Sequence, residues 1–200
     1  MILSRRHLIA GSAALVLTAP ALRAQSYPDP AEVLNDPDAP VQGNPAGDVT
    51  VIEYFDYQCP YCKSNHPLLM DEVARDGGIR LILKDWPIFG PASLHATQLV
   101  LGAQRQGDYA DAQAALMATK GRLTEAQIDS TLQDAGIDIA AASAAHDAEK
   151  DRWAALLNRN AAQAQGFGFM GTPSYIVGMT MFPGVIDQAT LREAIKAARG

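Results

Sequence analysis

The sequence predicts an α/β domain, on three observations. "DVTVIEYFDY" (Asp48 to Tyr57) is β-branched and aromatic and reads as a buried strand. Leu68, Leu69 and Val73 then recur at helical spacing as far as Ala74, and Gly77-Gly78 stops that helix before Ile79 to Lys84 alternates as a second strand. Much later, Ser174 to Val177 reads as a strand, Gly178-Met179 as a turn, and Thr180 to Phe182 as a strand pairing back.

The chain opens with a short basic stretch, Met1 to His7, carrying Arg5 and Arg6. Leu8 to Ala19 is apolar, and Pro20 to Ala24 ends on a small residue before polar Gln25. This is the layout of an export signal over residues 1–24, cleaved after Ala24. "SRRHLI" (Ser4 to Ile9) resembles a twin-arginine signal. The apolar part is too short to span a bilayer, so a soluble protein of the periplasm is expected. Cleavage removes three of the 16 basic residues and none of the 22 acidic ones. That leaves 13 basic residues and a net charge of −9 on the remaining 176 residues. Such an acidic chain is a poor ligand for nucleic acid or anionic lipid, and its length suits one domain.

The remaining elements follow in order. Gln25 to Gly47, rich in Pro, Asp and Asn, is expected to be an irregular lead-in (25–47), and the domain proper runs over 48–200. "DWPIFGPAS" (Asp85 to Ser93) is a loop. Ser93 to Gln106, Tyr109 to Ala118, Thr124 to Ala135 and Asp138 to Gln165 are alanine-rich helices, punctuated by Gly107, Gly121 and Gly136. Thr124 and Gln127 have capping-box spacing. Trp153, Phe167 and Phe169 are core candidates, and His95 and His146 ordinary helix positions. Asp187 to Ala198 closes the chain as a helix.

The only two cysteines, Cys59 and Cys62, stand two residues apart in "FDYQCPYCKSN". A bridge between them closes a tiny ring and does little for the fold. Haem attachment needs a histidine after the second cysteine, where Lys63 stands. A metal clip could use Cys59, Cys62 and His66, but a structural zinc site wants a fourth ligand and the chain has no second pair; copper(I) on two thiolates is the softer alternative. His66 is better read as a packing or surface histidine. In an exported chain large enough for its own core, the pair reads as a redox centre. Pro60 suits a first helical turn, which puts Cys59 at a helix N-terminus where the dipole and free N–H groups stabilise a thiolate. Cys59 is expected to be exposed and attacking, and Cys62 covered and resolving.

"EYFDYQCPYCK" followed by "GTPSYIVG" resembles the thioredoxin superfamily, and within it the DsbA-like periplasmic thiol–disulfide oxidoreductases. The resemblance implies a thioredoxin fold with a helical insertion, at about 91–165, between the second strand and the cis-proline strand. It implies that Cys59 attacks and Cys62 resolves, that Pro60 and Tyr61 tune the potential, and that Thr172-Pro173 is a cis-proline loop that binds substrate. It places a buried acid at Glu53 and a basic partner at Lys84, a pair able to relay protons as the resolving thiol ionises. An ordinary ion pair is the plainer reading of those two.

Two departures moderate this. Tyr61 stands where the strong oxidases of the family hold a histidine, and CPYC is also the glutaredoxin sequence. Thr172 is similar to isomerases and copper-resistance-linked relatives, where strong oxidases more often have Val. Too few residues precede the first strand for a dimerisation domain, so a monomer is expected. The expected activity is disulfide donation to cysteine-containing exported proteins, with a membrane redox partner resetting the pair and no cofactor. A reductase or isomerase role, a metal-binding protein and a silent binding module are the alternatives.

Overall fold

Residue parity along the two central strands decides which side chains meet at the cysteine pair. The computed structural model describes residues 27–200, so the export-signal reading of residues 1–24 lies outside the described residues. The chain runs α1 (Pro30–Leu34), β1 (Val41–Gly43), β2 (Val49–Phe55), α2 (Pro60–Asp76) and β3 (Ile79–Asp85). Five helices follow: α3 (Pro91–Ala103), α4 (Tyr109–Met117), α5 (Glu125–Asp134), α6 (Ile139–Ala148) and α7 (Lys150–Gly166). The end is β4 (Ser174–Val177), β5 (Thr180–Pro183) and α8 (Gln188–Arg199). The strands form one sheet in the order β1-β3-β2-β4-β5.

β2 lies at the centre because nearly every residue of it is apolar enough to be buried on both faces. It pairs parallel with β3, Glu53 opposite Leu83 and Tyr54 opposite Lys84, and antiparallel with β4, Glu53 opposite Tyr175. Neighbours alternate between faces, so one face of β2 carries Glu53 and the other Tyr54. The Tyr54 face packs under α7: the Tyr54 hydroxyl bonds to Gln163, and its ring meets Phe169 edge-on at 5.5 Å. Trp153 and Phe169 are buried and Phe167 packs against the core beside Phe169, as the sequence predicts.

The lead-in is more ordered than its composition suggests. α1 is capped by Asp29 and buries Val33, and β1 pairs antiparallel with β3, Val41 opposite Ile82. Three residues are too few to show an alternating pattern. Beyond α1, Asp36 and Asp38 accept hydrogen bonds from Arg159 and Arg152 of α7, which fastens the segment to the domain.

The insertion falls between β3 and β4 as expected. Thr124 and Gln127 form a reciprocal capping box. α3 and α6 touch so closely that a Cβ at Gly102 would run into the Ala142 carbonyl. The single helix expected over Asp138 to Gln165 is two, broken at Glu149, whose backbone (φ −124°, ψ 24°) leaves the helical region without a glycine or proline to announce it.

Candidate active site

Cys59 is the N-cap of α2 and Pro60 its first residue, where the missing N–H is no loss. The loop before it is held by Asp56, a buried carboxylate that the sequence reading passed over. Its Oδ1 accepts from the Gln58 N–H (2.7 Å) and the Ser93 hydroxyl (2.7 Å), and its Oδ2 from the Ile88 (2.6 Å) and Phe89 (3.1 Å) N–H groups. Its backbone carbonyl accepts from the Cys59 N–H. Four donors satisfy the buried charge and fix the cysteine loop to the start of the insertion. The readable signal was an Asp between the end of a strand and a CxxC.

Cys59 and Cys62 are both free thiols. Their residues are 1% and 0% exposed, so the expectation that Cys59 would be exposed is corrected: the Thr172 carbonyl lies 3.1 Å from its sulfur. Thr172-Pro173 is cis, as the resemblance implied. As a thiol, Cys59 donates to that carbonyl; as a thiolate, it accepts from the Cys62 backbone N–H at 3.4 Å. The Cys59 thiol is brought down to about 6, first by the hydrogen bond with Cys62 and, against the opposing effect of burial, by the Thr172 hydroxyl. That hydroxyl is buried and meets no partner in hydrogen-bond geometry; the bond at the sulfur is to the Thr172 backbone carbonyl. The Cys62 thiol is driven far up, first by burial and then by its bond to Cys59. The asymmetry needed for exchange, one ionised sulfur and one protonated, is therefore present.

Pro60 and Tyr61 are exposed beside the pair, Tyr61 at 66%. Pro173 is buried and Thr172 half-buried.

Glu53 is fully buried, close enough to the pair for charge on it to act on both sulfurs. Burial raises its carboxyl to about 8, partly opposed by a bond from the Tyr175 hydroxyl. That hydroxyl is 3.1 Å from Glu53 Oε1 and 3.1 Å from Asn65 Oδ1. A hydroxyl has one proton, so both contacts are hydrogen bonds only when Glu53 carries a proton to donate. Asn65 also joins α2 to the Ile186 backbone. Tyr175 and Asn65 were missed from the sequence, because both read as ordinary strand and helix positions.

Lys84 does not meet Glu53. It pairs with Tyr54 in the register and so lies on the opposite face, 3.8 Å from Asp36. The expected acid–base pair fails on parity: the partner beside Glu53 is Leu83. The other charged group influencing Glu53 from that strand is Asp85, also buried and raised to about 7 by burial, and it is an acid.

His66 is buried, its Nδ1 has no partner, and burial lowers its pKa, so it is a neutral packing residue. Among the described residues no three His, Cys, Asp or Glu side chains come together to hold a metal, and the Cys59, Cys62 and His66 trio does not converge. No helix of the described residues is long and apolar enough to cross a membrane.

The sequence matches the thioredoxin family profile over residues 35–197. Among solved structures, a thioredoxin-like oxidoreductase from Silicibacter pomeroyi is 37% identical with a TM-score of 0.81, the match covering 86% of this chain and 98% of that one. The thiol-disulfide exchange protein α-DsbA2 from Wolbachia pipientis is 27% identical with a TM-score of 0.77, over 83% and 90% of the two chains. A periplasmic thioredoxin-like protein from Salmonella enterica serovar Typhimurium is 27% identical with a TM-score of 0.73, over 84% and 94%. No curated protein matches the sequence.

Proposed function

This chain belongs to the thioredoxin family, and on that premise we propose that it is a periplasmic thiol–disulfide oxidoreductase that donates the Cys59–Cys62 disulfide to cysteine-containing exported proteins. The observation that carries this is the opposed tuning of the two sulfurs, with Cys59 lowered to about 6 and Cys62 raised. A stabilised thiolate favours the reduced pair and so makes the disulfide an oxidant.

In the reaction a substrate thiolate attacks Cys59 Sγ. The Cys59–Cys62 bond breaks, and Cys62 leaves with the electron pair and takes a proton. Glu53, with its carboxyl raised to about 8 and its charge acting on Cys62, supplies that proton in this reading. The substrate's second thiolate then attacks its own bridged sulfur and releases Cys59 as a thiolate. The substrate loses two electrons, and the protein gains them. Thr172 and Pro173 line the approach to Cys59, and Pro60 and Tyr61 set its surroundings. A membrane redox partner reoxidises the pair, and the chain acts as a monomer without a cofactor. Lys84, remote from Glu53, has no part in the proton transfer.

A milder reductase or isomerase role is favoured by one observation. A thiol at about 6 lies nearer the value of about 7 for thioredoxin than that of about 3.5 for DsbA. The test of the mechanism is trapping. Cys62→Ser, incubated with oxidised client peptide, accumulates a mixed disulfide as the Cys59 thiolate attacks the client disulfide and releases the client's other sulfur as a thiolate, and Cys59→Ser accumulates none. Equal trapping by both variants contradicts the assignment.

A further inference from the structure

The arginines of this domain are mostly engaged by carboxylates: Arg75 and Arg192 with Glu72, Arg105 and Arg152 with Glu149, Arg159 with Asp36 and Asp38, Arg199 with Asp48 and Asp76. Around one groove the pattern reverses. It lies beside the cysteine pair, between the first turns of α2 and the loop after α4. Pro60, Lys63, Ser64 and Pro67 line one side, and Met117 to Gly121 the other. No acidic residue lines it.

Lys63 is the unusual member. It is 6% exposed, and its ammonium donates to one protein acceptor, the Gly121 carbonyl at 2.6 Å. Among the described residues no carboxylate lies within 4 Å of it, nor of Lys120 on the same groove wall, nor of Arg122 just beyond. Arg122 instead stacks over the Phe89 ring, 4.9 Å from its centroid. A nearly buried ammonium with unmet donor capacity is held at a desolvation penalty, which outweighs the longer-range attraction of Asp56 and Cys59 and lowers its pKa. Lys63 and Lys120 are far apart in sequence, which is why a chain with no basic run still builds a cationic groove.

The groove begins at Pro60, the residue after Cys59. Lys63 is one helical turn further on, a rise of about 5 Å. A client segment joined to Cys59 would reach it within about two to four extended residues of its own cysteine, at roughly 3.4 Å each.

We propose that this groove selects client segments that carry Asp or Glu two to four residues from the reacting cysteine, the carboxylates pairing with Lys63, Lys120 and Arg122. The inference rests on the oxidoreductase reading and adds a client class to it. Charge complementarity of this kind acts mainly on association rate and weakens with salt.

The test uses the oxidised full-length mature protein and two reduced dithiol peptides of equal length, one with Glu and one with Lys at those positions. The second-order rate of peptide oxidation is measured at low and high salt. The proposal expects the Glu peptide to react faster by about tenfold at low salt, with the preference shrinking severalfold at about 0.5 M salt. Lys120→Glu, a change at an exposed position, is expected to erase or invert the preference. Lys150→Glu, the same charge change at the start of α7, is expected to keep it. Equal rates for the two peptides, or a preference untouched by Lys120→Glu, overturn the groove assignment. Normal reduction of the Lys120→Glu protein's disulfide by dithiothreitol, which carries no charge, shows that the oxidoreductase reading survives, whereas inertness to dithiothreitol and to both peptides overturns the two together.

Discussion

The two faces of the central sheet both bury charge, and they treat it in opposite ways. On the face toward α7, Lys84 and Asp36 are buried, but Asp36 accepts two bonds from Arg159, each 2.9 Å, which overcome the desolvation of its carboxylate and hold its pKa down. On the face toward α2, Glu53 and Asp85 are buried without a cation, and burial raises them to about 8 and about 7. Compensated charge stays in one protonation state and fastens chain segments. Uncompensated carboxyls titrate near neutrality, where a thiol reaction can use them. The difference comes from residue parity on β2 and β3 as much as from residue type.

The sharpest way to break this comparison is at the sulfur itself. Cys59→Ser is expected to abolish disulfide exchange while changing the stability of the reduced protein by less than about 1 kcal/mol at pH 6 or below, where the substitution is nearly isosteric and the stability gained by ionising the thiol has barely developed. Residual turnover in an insulin-type reduction or peptide oxidation assay counts against the whole assignment.

Next comes the compensated face. Arg159→Ala leaves the Asp36 carboxylate buried without its two bonds and is expected to cost roughly 2–3 kcal/mol. Urea denaturation measures that loss, and the exchange rate of the folded variant should stay within about twofold. A stability loss with a matching loss of exchange would erase the distinction between the faces.

Glu53→Gln should do the reverse. The folded carboxyl titrates at about 8 against an ordinary 4.5, so the folded state binds more protons than the unfolded one between those values. Glu53 therefore lowers stability as pH rises from about 4.5 to about 8, and the cost is then complete. The Gln variant should lack that decline and be more stable at pH 8 by roughly 1–3 kcal/mol. Exchange should slow by on the order of tenfold to a hundredfold and lose its dependence on a group near 8. Cys59 has the opposite sign: its reduced form, lowered to about 6, gains stability from about pH 6 to about 9. Stability curves of the reduced protein with and without Glu53 separate the two.

The smallest effect belongs to Lys84→Met. Burial lowers this lysine to about 8 despite Asp36, so below that pH its charge is a burden on the folded state, which it loses as pH rises toward 10.5. Removing it is expected to be neutral or stabilising by about 1 kcal/mol, with exchange unchanged. A slowed reaction would restore the acid–base pair that the register denies.

These faces also show how far the sequence could be read. The Asp48–Tyr57 run, the Pro60 start and the Gly77 stop located β2 and α2, because apolar period and caps are local signals. Gly77 closes α2 in the left-handed region (φ 71°), as a glycine stop should. The pairing of Glu53 with Lys84 was not local. It depended on whether β3 registered with residue 83 or 84 opposite Glu53, and a slip of one residue moves a side chain to the other face. β1 and the break at Glu149 carried no turn chemistry to read. Asp56 escaped because its importance lies in four donors brought from three places in the chain. The cis bond at Thr172-Pro173 came from the family resemblance and from nothing in the local sequence.

The most direct test of the central claim is the redox equilibrium of Cys59–Cys62 against glutathione, followed by thiol labelling of the purified mature protein. The account predicts full exchange with a potential between about −120 and −200 mV, the range of disulfide donors. A potential at or below about −270 mV would make the protein a reductase, and a pair that never exchanges would contradict the redox centre itself.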